Sequence, residues 1–187
     1  MSNQPNRLKR ISGDFIISIL ASVIYTFARQ IVVFPLLAAQ LTDADYGTLL
    51  TVAGLANVCT AMIGSSLNNI RLIEDSHYKE QGLLGDFNFL CLLGSGVSVV
   101  FAAVLRRMFA LSPLTAVLLG AYLIVSNLYQ YATAFFRLEL NFKRTFLCNT
   151  VVSAAYCAAA LVFATAELWP AVFLMGEGAG LLFVWKT

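Results

Sequence analysis

Charge is scarce in this chain. Asp, Glu, Lys and Arg make up 12% of the residues, and the formal net charge is only +2. So small an excess of positive charge gives nucleic acid nothing to hold. Histidine is scarcer still. His77 is the single one, in a charged stretch where solvent exposure is expected. A serine–histidine site therefore has little to build on, and no G-x-S-x-G occurs. Phosphate-binding glycine loops and metal-ligand clusters are missing as well. Cys59, Cys91, Cys148 and Cys157 all fall inside apolar runs, far from metal-ligand spacing. They read as buried free thiols rather than disulfides or zinc ligands. The expectation is a chain that is not an enzyme, with no catalytic residue, no cofactor and no metal.

What the sequence has in abundance is apolar length. Hydrophobic residues make up 59% of it, far outside the average for soluble domains. Runs long enough to cross a bilayer fall at 15–39, 46–70, 87–105, 113–137, 145–164 and 168–185. These predict an all-α integral membrane protein, a six-helix transmembrane bundle occupying 1–187 as one domain. Helices are the expected spanning form, since lipid offers the backbone no hydrogen-bond partner and the runs are too long for barrel strands. RLKR at 7–10 would suit the basic region of a signal peptide. The apolar run behind it is too long for one, carries Arg29 and lacks a clear A-x-A site, so it is expected to remain as a membrane helix.

The connections are short, and LTDADYG, 41–47, can cap the helix after it through Thr42, Asp43 or Asp45. The stretch 71–86, RLIEDSHYKEQGLLGD, reads as the longest polar loop. Placing the N-terminus in the cytoplasm puts Arg7, Lys9, Arg10, Arg71, Lys79, Arg137, Lys143, Arg144 and Lys186 inside. Arg106 and Arg107 are then outside, at odds with the positive-inside rule unless their stems snorkel to the interface.

Polar residues recur at helical spacing. Ser18, Ser22, Tyr25 and Arg29 share a face of the first helix. The second carries Asn57, Thr60, Gly64 and Asn68, and the third Asn88, Cys91, Ser95 and Ser98. Tyr122, Ser126, Tyr129, Thr133 and Arg137 line the fourth, Asn149 and Ser153 the fifth, and Glu177 sits within GEGAG on the sixth. Such groups serve helix packing as readily as ligand binding, and Gly176 with Gly180 forms a packing-type GxxxG. Arg29 and Glu177 are the exceptions. A charge near a helix centre costs about 2.5–3.5 kcal/mol on insertion scales, so each needs an ionic partner or a wet cavity. Either the two form a buried pair, or Arg29 waits for an anion in a cavity.

The order of features resembles a known family. A basic N-terminus leads to a proline-containing helix end, then PLLAAQLTDADYG with the pair Tyr46–Gly47. IGSSLNNIRLIE follows, with Arg71 at the helix boundary, and YQYATAFFRLELNFKR places an aromatic run before Arg137 and a basic loop. These segments resemble the first lobe of bacterial polysaccharide and O-antigen flippases, members of the multidrug/oligosaccharidyl-lipid/polysaccharide exporter superfamily. The resemblance implies a multi-pass protein of the bacterial inner membrane that moves a lipid-linked oligosaccharide by alternating access. It also implies a second six-helix lobe, supplied by a C-terminal half, a second copy or a separate chain.

On that reading the partners are membrane lipid and the lipid-linked substrate, with no nucleic acid. Arg29, Ser22, Tyr25, Asn57, Ser95, Ser126 and Tyr129 are the expected diphosphate and sugar contacts. Arg71 and Arg137 would stand at the cytoplasmic mouth, and Glu177 would couple an ion. The alternative is a non-transporting membrane scaffold, an assembly partner or an inactive truncated product.

Overall fold

A computed structural model describes the backbone of residues 4–81 and 84–186 and the side chains of 13–74, 77, 80–81 and 87–186. Among the described residues the protein is all-α, with six rods and no strand. Five rods contain a segment long and apolar enough to cross a membrane: Gly13–Gln40, Asp43–Glu74, Phe87–Met108, Pro113–Leu138 and Phe142–Phe163. Length and composition together fit a multi-pass membrane protein.

The sixth helix, Trp169–Lys186, forms where the sequence places it but is not among those five. It has 18 residues, or about 27 Å at 1.5 Å per residue. Glu177, Lys186 and three glycines dilute its hydropathy. It tolerates them because it is the central rod: Val172, Phe173, Gly176, Glu177 and Gly180 are all buried, with the fourth and fifth helices packed along it. The first helix lies against the fifth, and the third against the fourth. Along the third helix Phe89, Leu92, Val97 and Val100 point outward, apolar side chains suited to lipid.

Phe173 knits the core. Its ring meets Phe34 at 6.0 Å, Tyr122 at 5.7 Å, Tyr156 at 5.9 Å and Trp169 at 6.1 Å, within the range where aromatic pairs attract. Two glycines bring the sixth helix close to its neighbours. A Cβ at Gly176 would overlap the Tyr156 ring, and one at Gly180 would strike Val152 and Tyr129. The four cysteines are free thiols, three of them buried and Cys157 half-buried.

Two features depart from the sequence reading. The stretch read as a long polar loop is mostly helix, since the second rod continues through Ser66–Gln81. Its 71–81 portion lacks both Gly and Pro, is rich in Glu, Lys and Gln, and carries a Gln81–His77 contact at 3.0 Å with the spacing of adjacent turns. Strong helix formers and an i,i+4 pair carry the helix past the apolar run. Residues 82–83 lie outside the described ones.

The second departure is that the first two rods are not regular. The first is α-helical over Gln4–Phe27, π-helical over Ala28–Val33 and α-helical again over Phe34–Gln40. Pro35 has no N–H to donate, and its ring crowds the carbonyl four residues back. The wider turn ahead of it relieves that crowding, with the Phe34 N–H bonded to the Arg29 carbonyl. The second rod widens at Ala61–Ser65, where the Ser66 N–H and hydroxyl both reach the Ala61 carbonyl. π-Helical turns of this kind concentrate at functional sites.

Candidate functional site

Basic residues mark one end of the bundle. Arg71 shares a surface hollow with Trp185 next to Lys186, and Gly13 and Asp14, where the apolar span of the first helix begins, share another with Lys143. From this end a cavity of about 650 Å³ enters the bundle. Ser18, Ser22, Tyr25 and Thr26 line it from the first helix. Ser65, Asn68 and Asn69 do so from the second, Tyr129, Gln130, Thr133 and Arg137 from the fourth, Thr145, Cys148 and Asn149 from the fifth, and Glu177 from the sixth. Leu140 and Phe142 complete a wall whose polar groups are chiefly hydroxyl and amide. Arg137, at the last turn of the fourth helix, is the only cation on it among the described residues.

The wall is braced by interhelical bonds. Asn149 ties three rods: it accepts the Tyr129 hydroxyl at 3.2 Å and donates to the Ala21 carbonyl at 3.0 Å. Gln130 ties the second rod to the fourth, taking the Ser65 hydroxyl on its side chain and the Asn68 amide on its carbonyl, the latter at 2.9 Å. Gly64 makes that approach possible. A Cβ there would crowd Asn127 and Gln130.

At the inner end of the cavity stands Glu177, 3% exposed. Its Oε1 accepts the Tyr156 hydroxyl at 2.9 Å and the Tyr25 hydroxyl at 3.4 Å. Its Oε2 is buried with no partner. The Ser126 hydroxyl neighbours the carboxyl and is likewise without a hydrogen bond of normal geometry.

Arg29 lies one helical turn beyond Tyr25, away from the cavity, and does not line it. Its Nη2 donates to Asn57 Oδ1 at 2.9 Å. Its guanidinium carbon sits 5.2 Å from the Phe173 ring centre and 5.9 Å from that of Phe34, in cation–π range. Nε is buried without a partner. Among the described residues no carboxylate lies within ion-pair distance of Arg29, so a direct Arg29–Glu177 bridge, the packing alternative in the sequence reading, is not formed. Arg29 and Asn57 instead make a polar bridge between the first two rods, beside the exposed Gln30.

The expected site residues thus fall into four places. Ser22, Tyr25, Tyr129, Arg137 and Glu177 meet at the cavity. Arg29 and Asn57 pair outside it. Ser95 and Ser126 are sealed in the bundle, Ser95 bonded back to the Cys91 carbonyl at 2.9 Å. Below Ser95, Ser98 takes the Asn127 amide at 2.8 Å, a packing contact of the third and fourth helices. Arg71 stacks at 4.8 Å on Tyr131, whose hydroxyl donates to Asn88 Oδ1 at 2.8 Å.

Asn68, Gln130 and Asn149 line the cavity without having been singled out as ligand contacts. Asn68 and Asn149 already belonged to the polar stripes, and Gln130 lies beside Tyr129 on the fourth helix. No family model, curated protein or solved structure matches this chain.

Proposed function

We propose that this chain is one lobe of a bacterial inner-membrane transporter for a lipid-linked oligosaccharide or polysaccharide precursor, with its basic end in the cytoplasm. The cavity is the observation that carries this reading. A hollow of about 650 Å³ inside an apolar helix bundle, with hydroxyls and amides set among apolar surface, suits a ligand rich in hydroxyls and poor in charge. Sugars need many modest donors and acceptors plus flat apolar faces, and Tyr25 and Tyr129 offer rings beside their hydroxyls. The positive-inside bias supports a mouth on the cytoplasmic side, where such precursors are made.

The positions of the cations refine the binding mode. Arg137 at the mouth meets the diphosphate at headgroup depth, since a guanidinium pairs two phosphate oxygens at once. Arg29, outside the cavity and free of any contacting carboxylate, is a second anion contact met after the substrate has moved past Tyr25. The polar Arg29–Asn57 face would be costly against acyl chains. A second lobe, from a continuing chain, a second copy or a separate protein, covers it and completes the pathway.

Binding can be tested without the second lobe. The purified chain in lipid nanodiscs should retain a polyprenyl-diphosphate oligosaccharide in native mass spectrometry, in preference to the surrounding phospholipid. Gln130→Leu and Asn149→Leu should each weaken retention about tenfold, the loss of about 1.4 kcal/mol. Retention no stronger than that of ordinary phospholipid would count against the reading. The competing role, a membrane scaffold, draws on the inward-bonded Ser95 and Ser98, and it predicts that outcome.

A further inference from the structure

We propose that Glu177 is a proton-binding site reached from the cavity, and that its proton occupancy decides whether the first helix stays clipped to the fifth and sixth. The inference does not depend on what the cavity carries. Three observations converge on it. The carboxyl is 3% exposed yet lies on the wall of a hollow that opens at the basic end, so protons can reach it from that end. Its two oxygens are unequal: Oε1 holds both tyrosine hydroxyls, and Oε2 is bare. That second oxygen can change its proton without breaking a tyrosine bond: the Ser126 hydroxyl beside it can donate to the carboxylate or accept from the protonated carboxyl, so the site can hold either form.

The clip follows from the same geometry. Tyr25 belongs to the first helix, Tyr156 to the fifth and Glu177 to the sixth, and the two hydroxyls are themselves 3.3 Å apart. With the carboxylate charged, both O–H groups donate to an anion, and charge-assisted bonds are roughly twice as strong as neutral ones. Taking up a proton removes that charge. The weaker contact, Tyr25 at 3.4 Å, yields first. Gly176 seats the Tyr156 ring against the sixth-helix backbone, so Tyr156 stays in place while the first helix is released.

The other ionisable groups around the carboxyl are Tyr25 and Arg29 from the first helix, Tyr122 and Tyr129 from the fourth and Tyr156 from the fifth. Arg29 is the only cation among them and makes no ion-pair contact.

The full chain in nanodiscs tests both halves of the proposal. Difference infrared spectra between alkaline and acid buffer should contain a carboxylic C=O band that is absent in Glu177→Gln. In Tyr25→Phe the band should persist at a shifted frequency, which keeps the assignment secure if Glu177→Gln folds poorly. Spin labels at the exposed positions 15 and 182 report the separation of the first and sixth helices. The distance distribution should broaden in acid, and Glu177→Gln should show the acid form in both buffers. A missing Glu177-dependent band, or a distribution that acid leaves unchanged, overturns the proposal.

Discussion

Tyr156 on the fifth helix donates to Glu177 on the sixth at 2.9 Å, with both side chains almost wholly removed from solvent. A carboxyl deep in an apolar bundle is tolerated only where donors meet it. The local packing is arranged around that need. The glycine preceding Glu177 makes room for the tyrosine ring, and the ring delivers its hydroxyl to the carboxyl.

Removing that hydroxyl alone should be costly. Tyr156→Phe keeps the ring against Phe173 and Gly176 but leaves Tyr25 as the one tyrosine hydroxyl on the carboxyl. We expect a loss of about 1–3 kcal/mol, the usual cost of stranding a buried polar group. Equilibrium unfolding in mixed micelles reads it. An unchanged unfolding midpoint would show that the bond contributes nothing to stability.

The glycines of the sixth helix offer an internal control. Gly176→Ala sets a methyl against the Tyr156 ring, and Gly180→Ala sets one against Val152 and Tyr129; at Gly178 an added Cβ meets nothing within 4 Å. The first two should each destabilise by about 1–3 kcal/mol through overpacking. Gly178→Ala should be neutral, or stabilising by up to about 1 kcal/mol from helix propensity. Equal effects at all three positions would contradict the described packing of this helix.

Arg29 and Asn57 should behave as a coupled pair. Single substitutions Arg29→Ala and Asn57→Ala and their double variant form a cycle, scored by unfolding in micelles. We expect an interaction energy of about 1–2 kcal/mol, between the averages for charged hydrogen bonds and for membrane-helix contacts. Arg29→Lys should keep the charge but lose part of the coupling, because an ammonium does not reproduce the planar fork stacked on Phe173. Additive single effects would mean that the bridge is not formed in the bilayer.

Water access should follow the cavity and not the polar stripes. In a background with the four native cysteines replaced, single cysteines at positions 22 and 133 should react with a membrane-impermeant thiol reagent applied from the basic side. Cysteines at 95 and 126 should resist it. Ser22 and Thr133 line the hollow, whereas Ser95 and Ser126 are 4% and 0% exposed inside the bundle. Labelling of 95 and 126 at the rate of 22 would require a wetter interior than the one described.

The rods themselves were readable from the chain. The expected runs at 113–137 and 145–164 correspond to Pro113–Leu138 and Phe142–Phe163. Ser112 and Asn141 cap those helices, with side-chain oxygens accepting from Thr115 and Arg144. The reading failed where composition and structure part company. Residues 71–81 are polar but helical, because polarity alone does not break a helix and those residues favour one. Neither π-helical turn was foreseen. Pro35 marks the place of the first only in hindsight, since a proline can also kink or end a helix.

The polar stripes were legible as faces, but what each face meets was not. Ser95 and Ser22 have the same kind of spacing on their helices, yet one bonds its own helix in a dry seam while the other lines a hollow. Helical periodicity fixes which side chains share a side of a rod. It carries no information on which neighbour lies there.

By itself the sequence determined that six helices form and about where they start and stop. The physical reason is that apolar runs of bilayer length leave the backbone no partner but itself. Tertiary structure decided which polar groups are spent on packing and which remain open. Small residues such as Gly64, Gly176 and Gly180 let particular rods approach until side chains interlock. That interlocking sets the rotation of each helix, and with it places Glu177 at the end of a hollow and Arg29 outside it.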